Sequence, residues 1–374
     1  MITSSVILLT GLLAAGPVDD GYVNGDVSGA GYDSAQYFFY HALPYGTQAN
    51  YNPLNVIING GYGILQIPIS TSNEYGRKIF DYPYIDWGRN VWQTVGHPIK
   101  AINEFGWGKF ITTEIFPLNF NMTGNQWVPN YFLHLIGGGL QFRATEEWYQ
   151  YHGFCAPRLW SISTMVVYHA LSEIVENKGN EGLTMDHLAD LLIFDPAGIV
   201  LFANDGVCRF FSEKLSLAEW SMQPSINLAN ANLENMGQFY VAKYPVTGDK
   251  KWNFMVHFGL HGMAGISRRW SGESSISVAG GFLVEDLVEV EPGGEQRVLQ
   301  GVLTWRVGAF YDLNNSLLAS LMVANVPAYR VRLNVYPGVF RIGPLSPGFF
   351  VSGSSEWVVG IYVSYVPVGV AWGW

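Results

Sequence analysis

The sequence predicts a β-rich membrane protein, an antiparallel transmembrane β-barrel of about 8–12 strands with an N-terminal and central helical module. Three observations predict it. Charged residues make up 13% of the 374 and aromatic residues 15%, whereas a soluble domain carries about 25% charge, so the chain has too little charge to solvate an ordinary surface. From residue 239 onward apolar and polar residues alternate with a period of two, the mark of strands with unlike faces. Beyond the N-terminus no apolar run reaches the roughly 18 residues of a membrane-crossing helix. Entry into a bilayer then falls to closed strands, which leave no backbone group unpaired.

In chain order, residues 1–16 form an apolar stretch ending in small residues, followed by Pro17-Val18-Asp19-Asp20, and read as a secretory signal peptide. Residues 17–83 are an N-terminal segment with one or two strands, one of them over residues 55–69, bounded by Pro53 and the turn cluster Ser70-Thr71-Ser72-Asn73. Residues 84–237 are expected to be helical. Residues 98–116 read as one helix, with Pro98 in its first turn and Pro117 closing it. Ser161 or Ser163 is the expected N-cap of a helix running through Asn177 and stopped by Lys178-Gly179. Thr184 would cap a second helix bearing Asp186, His187 and Asp190. Asp195 and Pro196 would be the cap and first residue of a third helix, through about Phe202.

Residues 238–374 supply the barrel strands. Trp252, Phe254, Val256 and Phe258 alternate with Asn253, Met255 and His257; Tyr329, Val331, Leu333 and Val335 alternate with Arg330, Arg332 and Asn334. A soluble sandwich has the same alternation. Lipid on the outside is favoured by Trp and Tyr near strand ends, by opposite faces of small and polar groups with Arg306, Arg330 and Arg332 able to line a lumen, and by the C-terminus. The acidic run Glu285, Asp286, Glu289, Glu291 and Glu295 fits a solvated hairpin end. The net charge of −10 excludes nucleic acid as a partner, because no basic patch neutralises phosphates. Cys155 and Cys208, the only cysteines, read either as one disulfide or as two unpaired thiols.

The last residues place Val366, Val368, Val370, Trp372 and the terminal Trp374 on one face, with Pro367 as an interruption. This resembles the C-terminal signal strand of bacterial outer-membrane barrels, and implies outer-membrane lipid and the barrel-assembly machinery as partners. The order His134-x-x-Gly137-Gly138, Arg143, Glu173, Glu176, Asp190 and Gly198 resembles a pattern in uncharacterised outer-membrane families with a helical module before the strands. It implies architecture and compartment, and no activity.

Ionisable groups concentrate in the apolar stretch 134–202. His169, Glu173 and Glu176 fall at i, i+4 and i+7 and share one helical face; Asp186, His187 and Asp190 form a second set. A His beside a carboxylate is a candidate general base, so these residues (Asp186 apart) are the catalytic candidates. Ser161, Ser163 and Ser172 lie in no G-x-S-x-G elbow. The structural alternative is that polar groups enclosed between helices satisfy one another. The spacing predicts no metal site and no cofactor, since H-x-x-x-H and H-E-x-x-H are absent and His187 with Asp190 makes only half a site. Binding candidates are His134, Arg143, His257, His261 and Arg306. His257 and His261 share a strand face and read as ligands or as lumen lining, and the arginines as anion contacts or as partners of lumen carboxylates. Gly137-Gly138-Gly139 reads as helix packing or a turn. The leading functional expectation is a non-enzymatic barrel plugged or capped by its helices. The alternatives are an outer-membrane lipid hydrolase and a soluble periplasmic β-rich binding protein.

Overall fold

The period-two alternation becomes one sheet of 13 strands. The computed structural model describes residues 37–67, 75–117, 128–177, 185–290, 298–326, 329–342, 345–353 and 356–374. The signal-peptide reading, the turn cluster 70–73, Lys178-Gly179, Thr184, Glu291 and Glu295 lie outside them. The strands are β1 Ala218–Glu219, β2 Ser225–Asn227, β3 Leu233–Glu234, β4 Tyr240–Pro245, β5 Trp252–Phe258, β6 His261–Ser271, β7 Ser274–Val290, β8 Val298–Leu313, β9 Ser316–Ala324, β10 Val331–Val335, β11 Pro347–Gly353, β12 Trp357–Val363 and β13 Gly369–Gly373. Their order in the sheet is β1-β4-β5-β6-β7-β8-β9-β10-β11-β12-β13-β2-β3. From β4 to β13 each strand pairs antiparallel with the next in the chain. The β8–β9 turn carries Asn314 and Asn315, both at positive φ, as a tight two-residue hairpin requires.

The extended segment 218–227 contributes to both ends of this order. Its first half pairs with β4, where the Trp220 and Met222 amides donate to Phe239 and Gly237. Its second half runs parallel to β13, where the Gly369 amide donates to Pro224. The remaining outer strand is β3, beside β2.

The two faces of the sheet differ in an unusual direction. In β8, Trp305 is 47% exposed and Arg306 4%. Trp252, Phe254, Ile266, Val278, Phe282 and Val307 are exposed like Trp305, while Ser267, Ser277, Thr304, Asp312, Ser320 and Asn334 are buried like Arg306. The buried face is packed with Trp220, Phe239, Met255, Met263, Phe310, Met322 and Tyr336, each such side chain contributing about 1.5–3 kcal/mol on burial. Arg330, expected on this inner face, is exposed, whereas Arg332 is buried over the Tyr329 ring. Arg330 lies just before β10, outside the alternating register.

Upstream the chain is helical: α1 Gly46–Asn50, α2 Pro53–Gly61, α3 Tyr84–Val95, α4 Pro98–Phe105, α5 Trp107–Phe110, α6 Gly139–Tyr151, α7 Pro157–Asn177, α8 Asp186–Ala189, α9 Asp195–Phe202 and α10 Asp205–Arg209. Wider π-helical turns cover Ile111–Ile115, Val128–Gly138, Asp190–Phe194 and Phe210–Lys214. The strand expected over residues 55–69 is therefore corrected: its described part holds α2 and a short 3-10 turn, Gly63–Gln66. Pro53 occupies the first turn and the Asn52 side chain accepts from the Asn55 amide at 2.9 Å, and this cap outweighs the strand preference of Val56, Ile57 and Ile58. The single helix expected at 98–116 breaks at Gly106, whose φ of +99° suits glycine. Neither Ser161 nor Ser163 is an N-cap, because α7 already begins at Pro157; their hydroxyls donate to the Phe142 and Leu159 carbonyls. Cys155 is exposed and Cys208 buried, and both are free thiols.

The helices build their own core, which includes Leu140, Phe142, Met165, Tyr168 and Phe202, and it continues onto Tyr240 and Phe258 of β4 and β5. Those two alternate with the inward Val241 and His257, so the module lies against the outward side of β4–β5. Its first described turn is tied down by Glu147, whose carboxylate accepts from the Phe38, Phe39 and Tyr40 amides, each at 2.9 Å.

Candidate functional site

The buried polar centre of the helical module is assembled by a crossing of glycines. The run of Val128–Gly138 and α6 is met by α9, and at the contact Gly139 faces Phe202 and the Gly198 carbonyl, while Gly198 faces the Leu135 and His134 carbonyls. A β-carbon at either position would meet these atoms at 2.3–3.1 Å. Only hydrogen there lets the helices approach this closely, and the approach sets His134 against the segment carrying Asp190 and Asp195.

His134 Nδ1 lies 2.9 Å from Asp195 Oδ1 in a hydrogen bond, and His134 Nε2 lies 3.5 Å from Asp190 Oδ2. His169, from α7, brings Nδ1 within 3.1 Å of the same Asp195 oxygen, without hydrogen-bond geometry. Glu173, one turn along α7, completes the cluster. Two overlapping sets, His134/His169/Asp195 and His134/Glu173/Asp190, each hold their donor atoms within 4.8 Å of one another. Asp190, Glu173, His169 and Asp195 are all buried, and His134 retains 12% side-chain exposure.

Asp195 is the residue sequence reasoning misplaced. Read as a helix cap, it lies inside a continuous helical run, its amide donating to the Asp190 carbonyl across a π turn. On an α-helix residues five apart are rotated by about 140°; the i→i+5 turn brings Asp190 and Asp195 toward one side. Glu114, in the π turn 111–115, is a second omission, buried and coupled electrostatically to Asp186.

The electrostatics follow from burial with few cations. Burial, then the charges of Asp186, Glu173, Asp195 and Glu176, push the Asp190 carboxyl well above the usual carboxylate range. Asp186 is raised to about 6, mainly by burial and against the pull of His134. Glu114 is raised to about 8 by burial and by Asp186. Burial also works against charge on His134, but Asp195, Asp186 and Glu176 outweigh it and hold its pKa above the ordinary value. His169, with less carboxylate help, is lowered to about 4 by burial.

Of the residues expected here, His134, His169, Glu173 and Asp190 converge, and Glu176 and Asp186 lie close enough to shift their titration. His187 does not join them; it is buried, its pKa lowered to about 4 by burial, and neither ring nitrogen has a hydrogen-bond partner among the described residues. Arg143 is elsewhere, bonded to Glu147 and Asp205 and lying over the Phe38 ring. His257, His261 and Arg306 form a separate chain inside the sheet. Arg306 Nη1 is 2.6 Å from His261 Nδ1, and His261 Nε2 is 2.5 Å from His257 Nδ1. No serine hydroxyl stands in hydrogen-bond contact with His134 or His169 among the described residues, and Ser163 faces outward. Among the described residues no single helix is long and apolar enough to cross a membrane, although the run 186–202 and the run 205–214, bent by 82°, pass that test together.

No protein-family model, no curated protein and no solved structure matches this chain.

Proposed function

We propose that the protein is an outer-membrane β-barrel without a conducting pore, whose outward face meets lipid and whose docked helices carry the His–carboxylate centre. The observation that carries this reading is the inverted polarity of the sheet. Its exposed face presents Trp252, Phe254, Ile266, Val278, Phe282, Trp305 and Val307, and its buried face Ser267, Ser277, Thr304, Arg306, Asp312 and Asn334. In water this arrangement wastes apolar burial on the wrong side; in a bilayer it is the favourable one. The segment 218–227, paired with β4 at one end and β13 at the other, supports a cylinder, since it supplies partners to both flanks. Trp372 and Trp374 stand exposed, in keeping with an interfacial girdle. The interior is packed with Trp220, Phe239, Phe310 and Tyr336, and α2 reaches the buried face through Asn55 on the Tyr362 hydroxyl and Asn59 on the Met222 carbonyl, so side chains and helix together would seal it.

The test is fractionation followed by electrophoresis and bilayer recording. The expected result is recovery in outer membranes, extraction only by detergent, a heat-modifiable mobility and no conductance steps. Recovery as a soluble periplasmic protein would sink the membrane reading, and ion conductance would sink the sealed interior.

A further inference from the structure

We infer that His134, Glu173 and Asp190 form a binding site for a divalent first-row transition-metal ion, held between α7 and the two helical runs on either side of it. This goes beyond the membrane reading and stands whether or not the sheet lies in lipid. His134 Nε2 and Asp190 Oδ2 are 3.5 Å apart, with no hydrogen bond between them. Two ligands at about 2.1 Å from a tetrahedral ion are separated by roughly 3.4 Å, so the spacing suits a shared ion better than a shared proton. Glu173 places a carboxylate oxygen within 4.8 Å of both.

The other ring nitrogen gives independent support. Asp195 Oδ1 accepts from His134 Nδ1 at 2.9 Å, which fixes the proton there and leaves the Nε2 lone pair facing Asp190 and Glu173. A carboxylate behind a histidine ligand is the usual way the ligand tautomer is set in metal sites. Asp190 Oδ1, in a side chain 2% exposed, has no hydrogen-bond partner among the described residues. Among the described residues Asp190 and Asp195 meet no Lys or Arg; their ion-pair partners are histidines alone. Buried carboxylates without Lys or Arg are neutralised by protons or by a cation, and one nitrogen with two carboxylates suits Zn2+, Mn2+ or Fe2+ better than an all-oxygen ion.

Full-length protein stripped with EDTA is titrated with Co2+, read by visible absorbance, with bound cobalt counted by elemental analysis. The expected result is one saturable equivalent with d–d bands, at least tenfold weaker in Asp190→Asn and unchanged in the distant His152→Ala. His134→Cys guards against a variant that fails to fold, since a thiolate at this position adds a near-ultraviolet sulfur-to-cobalt charge-transfer band. Absence of saturable Co2+ binding by the unsubstituted protein overturns the inference. So does Co2+ binding by a folded Asp190→Asn protein at undiminished affinity, or the absence of the charge-transfer band from a folded His134→Cys protein.

Discussion

Two histidine pairs are buried in this molecule, in opposite company. His134 and His169 lie 5.5 Å apart by ring centroids and share the oxygen of Asp195, with Asp190 and Glu173 beside them. His257 and His261 are stacked at 4.7 Å, bonded to each other, sandwiched by Phe239 and Phe310, and fed by Arg306. In the second pair Arg306 can only donate, so His261 Nδ1 accepts and its Nε2 proton passes to His257 Nδ1. Those three nitrogens are consumed within the sheet. The first pair leaves a nitrogen facing carboxylates. Histidine alone therefore does not mark a site; the charge of its neighbours separates a polar network that completes itself from one that calls for a cation.

The largest effect is expected where the sheet completes itself through opposite charges. Lys243 Nζ is 2.6 Å from Asp312 Oδ1, at exposures of 7% and 1%. Asp312→Ala strands a buried ammonium and should lower unfolding free energy by about 3–5 kcal/mol in urea titrations; a loss below roughly 1 kcal/mol would mean that the inward polar groups are solvated after all.

The helical centre should show an intermediate effect of pH. The Glu114 carboxyl holds its proton to about 8 in the folded chain, against 4.5 ordinarily. The folded state thus binds more protons between those values, and the stability of metal-free protein falls as pH rises through that window. The slope approaches about 1.4 kcal/mol per pH unit for one group. Denaturation followed by helical circular dichroism at acidic and mildly alkaline pH should show the slope, and Glu114→Gln should flatten it. A pH-independent unsubstituted protein would contradict the strained acidic centre. Smallest of all is Arg330→Ala, an exposed change expected to stay within about 0.5 kcal/mol. A loss as large as that for Asp312→Ala would place Arg330 in the sheet's internal network.

The sheet was legible because alternation is a local property: Trp252–Phe258 and Val331–Val335 are strands where apolar and polar residues alternate. The helical centre was legible in part. His169 and Glu173 are one turn apart and share a face by counting, while His134 reaches them only through a glycine crossing that no count reveals. Asp195 escaped because a π turn has no sequence period of its own, and Asp-Pro mimics a helix start. Residues 55–69 misled because β-branched residues speak for strands, while the capping signal Asn52-Pro53 lies just before them. The grouping of His134, Glu173 and Asp190 was not legible for a related reason, since the three come from separate helical segments and obey no short motif.

The segment 218–227 also bears on how the molecule is made. Its parallel contact with β13 joins Ser225 to Gly369, positions separated by every antiparallel strand from β4 to β12. Hairpins between consecutive strands close short loops and form readily, but this contact must wait until the whole succession is in place, because long-range closure is entropically expensive. The β13–β2 contact is thus expected to form late. Until it forms, β13 has one partner, β12, and an unpaired edge of the kind that pairs readily with another strand.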